Sequence, residues 1–96
     1  MSVRVTLNCQ LKDQQFEALL PFLEANLPNV RGFKGCQRVS VLYNEDSNEM
    51  LLDEAWLSEE HHKNYIGFIA SNGVLEELAA FLEEPPTIRY FSDIAV

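Results

Sequence analysis

Between Val3 and Leu11 apolar and polar side chains alternate without a break, Val3, Val5, Leu7, Cys9 and Leu11 against Arg4, Thr6, Asn8 and Gln10. A period of two places the first set on one face of a strand, so the chain must build a sheet with one strongly buried side. The period then changes to that of a helix. Phe16, Leu19, Leu20, Leu23 and Leu27 form one stripe, and Asp13 stands where it can cap that helix. Pro21 breaks the hydrogen-bond ladder and predicts a kink, and Pro28 marks the helix end.

After Gly32 and Gly35, a strand from Cys36 to Tyr43 carries Val39, Val41 and Tyr43 on one face and Arg38 and Ser40 on the other. The turn residues from Asn44 to Asn48 join it, as a hairpin, to a strand from Met50 to Leu57. Ser58 caps a second helix with Glu59 and Glu60 in its first turn, stopping near Ser71, Asn72 and Gly73. A third helix follows, striped by Val74, Leu75, Leu78, Phe81 and Leu82 and ended by Glu83-Glu84-Pro85-Pro86; Thr87 to Phe91 reads as a last strand. This order is the split βαβ arrangement: an α+β, ferredoxin-like fold with a four-stranded antiparallel sheet and helices on one face.

With 96 residues, the chain is read as one domain spanning 1–96. So small a domain with 47% hydrophobic residues has apolar area to spare for a second copy, so a homodimer formed by sheet-to-sheet contact is expected. The charge of -8, with no run of Lys or Arg, argues against nucleic acid and anionic lipid as partners. No apolar run approaches membrane-spanning length, and the first residues lack the pattern of a signal peptide. The expectation is a cytoplasmic protein with reduced thiols. Cys9 and Cys36 should stay unpaired, because this fold places the third strand between the first and second.

Chemistry concentrates between Met50 and Tyr65. Alternation sends Met50, Leu52, Glu54 and Trp56 to one face, placing a carboxylate among apolar neighbours beside the only Trp. Such a group is paired, protonated or at the mouth of a cavity, and the plainest reading pairs it with an Arg. His61 and His62 are adjacent on a helix and point about 100° apart, so they do not share a metal; His61, one turn before Tyr65, is the better placed for a pocket edge. No closed metal-ligand spacing and no Gly-rich nucleotide loop occurs.

The ordered set of Gly35-Cys36, Glu54-x-Trp56-x-Ser58, Tyr65, Gly73 and Pro85-Pro86-Thr87-Ile88-Arg89-Tyr90-Phe91 resembles the antibiotic biosynthesis monooxygenase family over nearly the whole chain. The resemblance implies two sheets paired into a dimeric α/β barrel. It also implies oxygenation of a polyphenol, anthrone or quinol by O2 with no cofactor and no metal, because an electron-rich phenolate itself reduces O2. The protein then has to favour the phenolate, hold a flat ring system and exclude water. By position Asn8, Trp56 and Tyr65 match residues that act in the family, with Glu54, Phe68 and His61 as substrate-binding neighbours. Tyr65 stands where many members carry His, and an ordinary Tyr is a poor base near neutrality.

Two alternatives stand beside this. One is a non-catalytic dimeric module binding a small hydrophobic metabolite, which an apolar pocket also fits. The other is a haem-degrading monooxygenase, although no His follows position 62, where relatives of that kind place the ligand. For the oxygenase, the expected site is a pocket between sheet and helices lined by Asn8, Glu54, Trp56, Tyr65 and Phe68. Plainer roles compete: Asn8 satisfying a neighbouring strand, and Tyr65 packing with its hydroxyl at a rim.

Overall fold

A computed structural model describes residues 2–96, and Met1 lies outside the described residues. The elements run β1 (Val3–Gln10), α1 (Phe16–Arg31), β2 (Cys36–Asn44), β3 (Glu49–Trp56), α2 (Glu59–Asn72), α3 (Val74–Ala79) and β4 (Thr87–Ser92). The strands form one antiparallel sheet in the order β2-β3-β1-β4, the ferredoxin-like arrangement. β3 therefore separates β1 from β2, and Cys9 and Cys36 are both free thiols.

Alternation decides what each face carries. Val5 lies opposite Glu54, Leu7 opposite Leu52 and Cys9 opposite Met50, while β2 sets Val39 against Glu54 from the other side. With Trp56 these residues make the inner face, covered by Leu19, Leu23 and Val30 of α1, His62, Tyr65 and Ile69 of α2 and Leu78 of α3. Each large aliphatic chain sealed there contributes about 1.5–3 kcal/mol by burial. The opposite face is polar at its centre. Arg4 and Arg38 both reach Asp53, at 3.4 and 3.3 Å, and Asn8 donates to Glu49 at 3.0 Å. Toward its edges Leu42 and Phe91 are half-exposed, and in the single chain nothing covers them.

Three local expectations are corrected. Asp13 does not cap α1: a turn intervenes in which the Gln15 N–H donates to the Lys12 carbonyl and Gln14 takes φ 59°, so the helix starts at Phe16 without a side-chain cap. Pro28 does not end α1, which runs to Arg31 and closes where the Gly32 N–H bonds back to the Pro28 carbonyl. A proline one turn from a C-terminus still offers its carbonyl, and loses only its own N–H bond. The apolar stripe through Leu82 is longer than α3, which stops at Ala79; Phe81 and Leu82 pack in the following turn, where Leu82 bridges to Leu11.

Candidate functional site

The end of β3 and the start of α2 assemble the site. Ser58 Oγ accepts the His61 N–H at 3.1 Å and starts the helix, so its rotation about its own axis is set. His62, Tyr65 and Ile69 then fall on one stripe and face the sheet. His61 sits about 100° round from His62. Its ring packs on Gly35, where any Cβ would meet His61 ring carbons at 2.5 Å, and its Nδ1 lies 2.6 Å from Ser58 Oγ. The expectation of His61 at the pocket edge is thus corrected: the inward histidine is His62, fully buried.

Glu54 is 3% exposed and accepts the indole N–H of Trp56 on Oε1 at 2.8 Å. Among the described residues it has no Arg partner, because Arg4 and Arg38 leave their strands on the other face and pair with Asp53 instead. His62 Nδ1 is 2.8 Å from the Tyr90 hydroxyl. Its Nε2 is 3.7 Å from Glu54 Oε1, beyond hydrogen-bond range, and is a buried side-chain atom with no partner among the described residues. Burial pushes the Glu54 carboxyl above its ordinary range, against the opposing pull of the Trp56 bond, and pushes His62 down to about 4. His62 is therefore a neutral imidazole near pH 7, and the 3.7 Å approach is not a salt bridge there. Burial and the nearby Glu54 charge raise the Tyr65 hydroxyl to about 12, which keeps it a hydrogen-bond donor rather than a base.

Glu54 and His62 are the ionising groups, besides Tyr65, on the wall of a narrow, mostly apolar cavity of about 50 Å³ between the sheet and all three helices, lined also by Leu7, Leu52 and Leu78. Outside it lies an open groove of about 510 Å³ walled by Phe33, Phe68 and the end of α1. Asn26, Tyr65, Ile69 and Val74 line both spaces.

Of the residues singled out in the sequence, Glu54 reaches the cavity, Tyr65 lines cavity and groove, and Phe68 lies at the groove rim. Trp56 does not line either space; it is enclosed by Phe33, His62 and Tyr65, with ring centroids 6.3, 5.3 and 5.6 Å away. Asn8 is on the opposite side of the sheet from Trp56, bonded to Glu49, so the expected grouping of Asn8 with Glu54, Trp56, Tyr65 and Phe68 is corrected. The reason is parity: Asn8 is odd-numbered steps from Val5 and Leu7, the inward residues of its strand. The residues not foreseen are Phe33 and His62, which line the groove and the cavity, and Tyr90, which bonds to His62 without lining either space. His62 was legible as the residue three before Tyr65 and seven before Ile69 on the apolar stripe, and Tyr90 by alternation with Ile88.

Among the described residues no group of three or more His, Cys, Asp or Glu is placed to hold a metal ion, and no helix is long and apolar enough to cross a membrane. The groove lining includes no His to serve as an axial haem ligand.

No family model and no curated protein matches the chain. Solved structures do. Rv0793 from Mycobacterium tuberculosis superposes with a TM-score of 0.82 at 18% identity, covering 100% of this chain and 98% of that one. A protein described as an antibiotic biosynthesis monooxygenase gives 0.83 at 11% identity, over 97% of this chain and 99% of its own. The chain has the fold of the antibiotic biosynthesis monooxygenases. A monooxygenase of Streptomyces coelicolor, solved with the ligand nanaomycin D, shares it with a TM-score of 0.81 at 14% identity, covering 99% of this chain and 89% of that one.

Proposed function

We propose that the chain is a cofactor-independent monooxygenase that oxidises a phenolic or quinol-type aromatic with O2, acting as a homodimer. The observation that carries this reading is the aromatic-walled groove set against a narrow, mostly apolar cavity whose wall holds Glu54 and His62. Such a site holds a flat ring by burial and places few polar groups at one end of it. The Streptomyces coelicolor monooxygenase of the same fold binds nanaomycin D, which supports a ligand of related shape here.

In the proposed reaction the ring packs against Phe33, Phe68 and Tyr65, and its hydroxyl points toward the cavity. The hydroxyl proton is released to solvent, to be taken back in the water formed at the end, and the phenolate passes one electron to O2. The radical pair joins as a peroxide on a ring carbon carrying hydrogen. That C–H and the O–O bond then break, one oxygen stays as the new carbonyl, and the other leaves as water. The substrate supplies all four electrons that O2 takes up. Trp56 contributes by fixing Glu54 through its N–H and by backing Tyr65 rather than by stacking on the substrate. Asn8 faces away from this chemistry. The half-exposed Leu42 and Phe91 on the uncovered sheet face support pairing with a second copy, and the two free thiols support a reducing, cytoplasmic setting.

Oxygen-electrode assays of metal-free protein against hydroquinones and anthrones test the reading. Uptake above the blank for at least one compound is expected, and blank rates throughout would overturn it. One observation favours the second reading, a non-catalytic binding module: at about 50 Å³ the cavity admits a substituent and not a ring, and the Trp56 N–H is already used. Tight ligand binding without oxygen uptake would select that reading.

A further inference from the structure

We infer that His62, held by Tyr90, is the residue that selects ligands of this site, its Nε2 accepting a hydrogen bond from a single hydroxyl on the inner edge of an otherwise apolar body. The inference rests on the groove-and-cavity reading above and goes beyond it by naming the selecting atom.

A buried imidazole nitrogen without a partner is costly to maintain, and His62 Nε2 is fully enclosed, with the Glu54 carboxyl 3.7 Å away. The His62 ring lines the inner cavity while Nε2 itself is covered, so a ligand hydroxyl reaches this nitrogen by displacing the side chains packed over it. The other nitrogen is not free to compete, since Nδ1 lies 2.8 Å from the Tyr90 hydroxyl. A hydroxyl both donates and accepts, so this pair has two consistent states. When Nδ1–H donates to Tyr90 Oη, Nε2 offers a lone pair to a ligand O–H. When the Tyr90 O–H donates to Nδ1, Nε2 carries the proton and can donate to a carbonyl. The same atom can thus accept from a phenol in the first state and donate to a quinone in the second, the two interconverting when the ring proton moves from Nδ1 to Nε2 and the Tyr90 hydroxyl turns to donate to the vacated Nδ1. Burial, which holds the ring neutral, keeps both states available.

The volume sets the class of ligand. About 50 Å³ accommodates a hydroxyl and its first carbon, while the ring system stays in the groove among Phe33, Tyr65 and Phe68. The hydroxyl enters past the side chains shared by the two spaces. A methyl ether at the same position has no proton to donate and adds bulk, and a bare hydrocarbon leaves Nε2 unpaired.

The test uses α-naphthol, its methyl ether and naphthalene as probes, titrated anaerobically by calorimetry so that no turnover is required. The wild-type chain should prefer α-naphthol over the ether by about tenfold or more. His62→Phe should bind both about equally, and His62→Gln, which keeps an acceptor, should restore part of the preference. Nitrogen-15 NMR of the naphthol complex should show Nδ1 protonated and Nε2 bare. Tyr90→Phe, at a half-exposed position, should blur that tautomer signature and shrink the preference. An undiminished preference in His62→Phe, or His62 nitrogen shifts unmoved by naphthol in the wild-type chain, would overturn the inference. So would failure of every probe to bind. Selective naphthol binding without oxygen uptake would leave this inference standing while the oxygenase reading falls.

Discussion

The indole N–H of Trp56 reaches back two residues along β3 to Glu54 Oε1 at 2.8 Å, so the buried acid and the buried ring satisfy each other. The pair stabilises the inner face only as a pair. Trp56→Phe should cost about 1–3 kcal/mol beyond its lost volume, because Glu54 is left without its donor. In a double-mutant cycle with Glu54→Leu, measured by urea unfolding, the two changes should couple by at least about 1 kcal/mol. Simple additivity would mean the bond contributes nothing net.

His62 and Glu54 should pull stability in opposite directions with pH. The folded chain holds His62 at about 4 against an ordinary 6.5, so between these values the unfolded chain takes up a proton that the folded chain refuses. Stability from this group is therefore lost as pH falls from about 6.5 to about 4, by up to about 3 kcal/mol. Glu54, raised by burial, works the other way: protonation on the way down in pH relieves its buried charge. Urea midpoints across this range should fall less for His62→Phe than for the wild-type chain, and more steeply for Glu54→Gln.

Gly35 should not tolerate a side chain. Its φ is 94°, and a Cβ would lie 2.5 Å from the His61 ring. Gly35→Ala should cost at least about 1–3 kcal/mol from the backbone alone. Adding His61→Ala should recover the part due to collision and leave the backbone part, so thermal unfolding of the double variant should fall between the wild-type chain and the single one.

The two thiols should differ in reactivity. Cys9 is fully buried and its pKa is pushed up to about 12, first by burial and then by the charges of Glu54 and Glu49. Cys36 is only partly enclosed. An aromatic disulfide reagent should label Cys36 in the native chain and Cys9 only on unfolding. Labelling of Cys9 at the same rate would show that the β1–α1 layer opens readily.

The uncovered sheet face should support the proposed dimer. Leu42 and Leu51 lie opposite one another in the β2–β3 ladder on that face. Leu42→Glu, which puts a charge into the expected contact, should shift sedimentation from dimer toward monomer while leaving the circular dichroism of the fold intact. A wild-type chain that sediments as a monomer at micromolar concentration would contradict the pairing.

Element order and strand faces were legible because they follow from periods of two and 3.6, which Val3 to Leu11 and the Phe16 to Leu27 stripe display openly. The ends of α1 were not, since a turn at Gln14 and a proline tolerated inside the last turns are decided by backbone hydrogen bonds rather than by residue type. Position in the sequence also brought Glu54, Tyr65 and Phe68 together, and they line the cavity or the groove. Asn8 was misplaced because a match by rough position ignored the parity of its strand. His62 was passed over for His61 because a burial stripe was not projected through the histidine pair. Tyr90 needed the partner it meets from another element, 28 residues away in sequence.

Asp53 and Glu54 are chemically near-twins set side by side, one held outside by Arg4 and Arg38 and the other sealed inside with Trp56. A slip of β3 by a single residue would exchange them, carrying Asp53 inward away from its two arginine partners and turning Glu54 and the Trp56 ring together to the outer face. Either error alone is severe, and the slip commits both. The adjacent acids thus act as a lock on strand alignment, and the same lock that keeps the sheet in register keeps a carboxyl at the cavity wall.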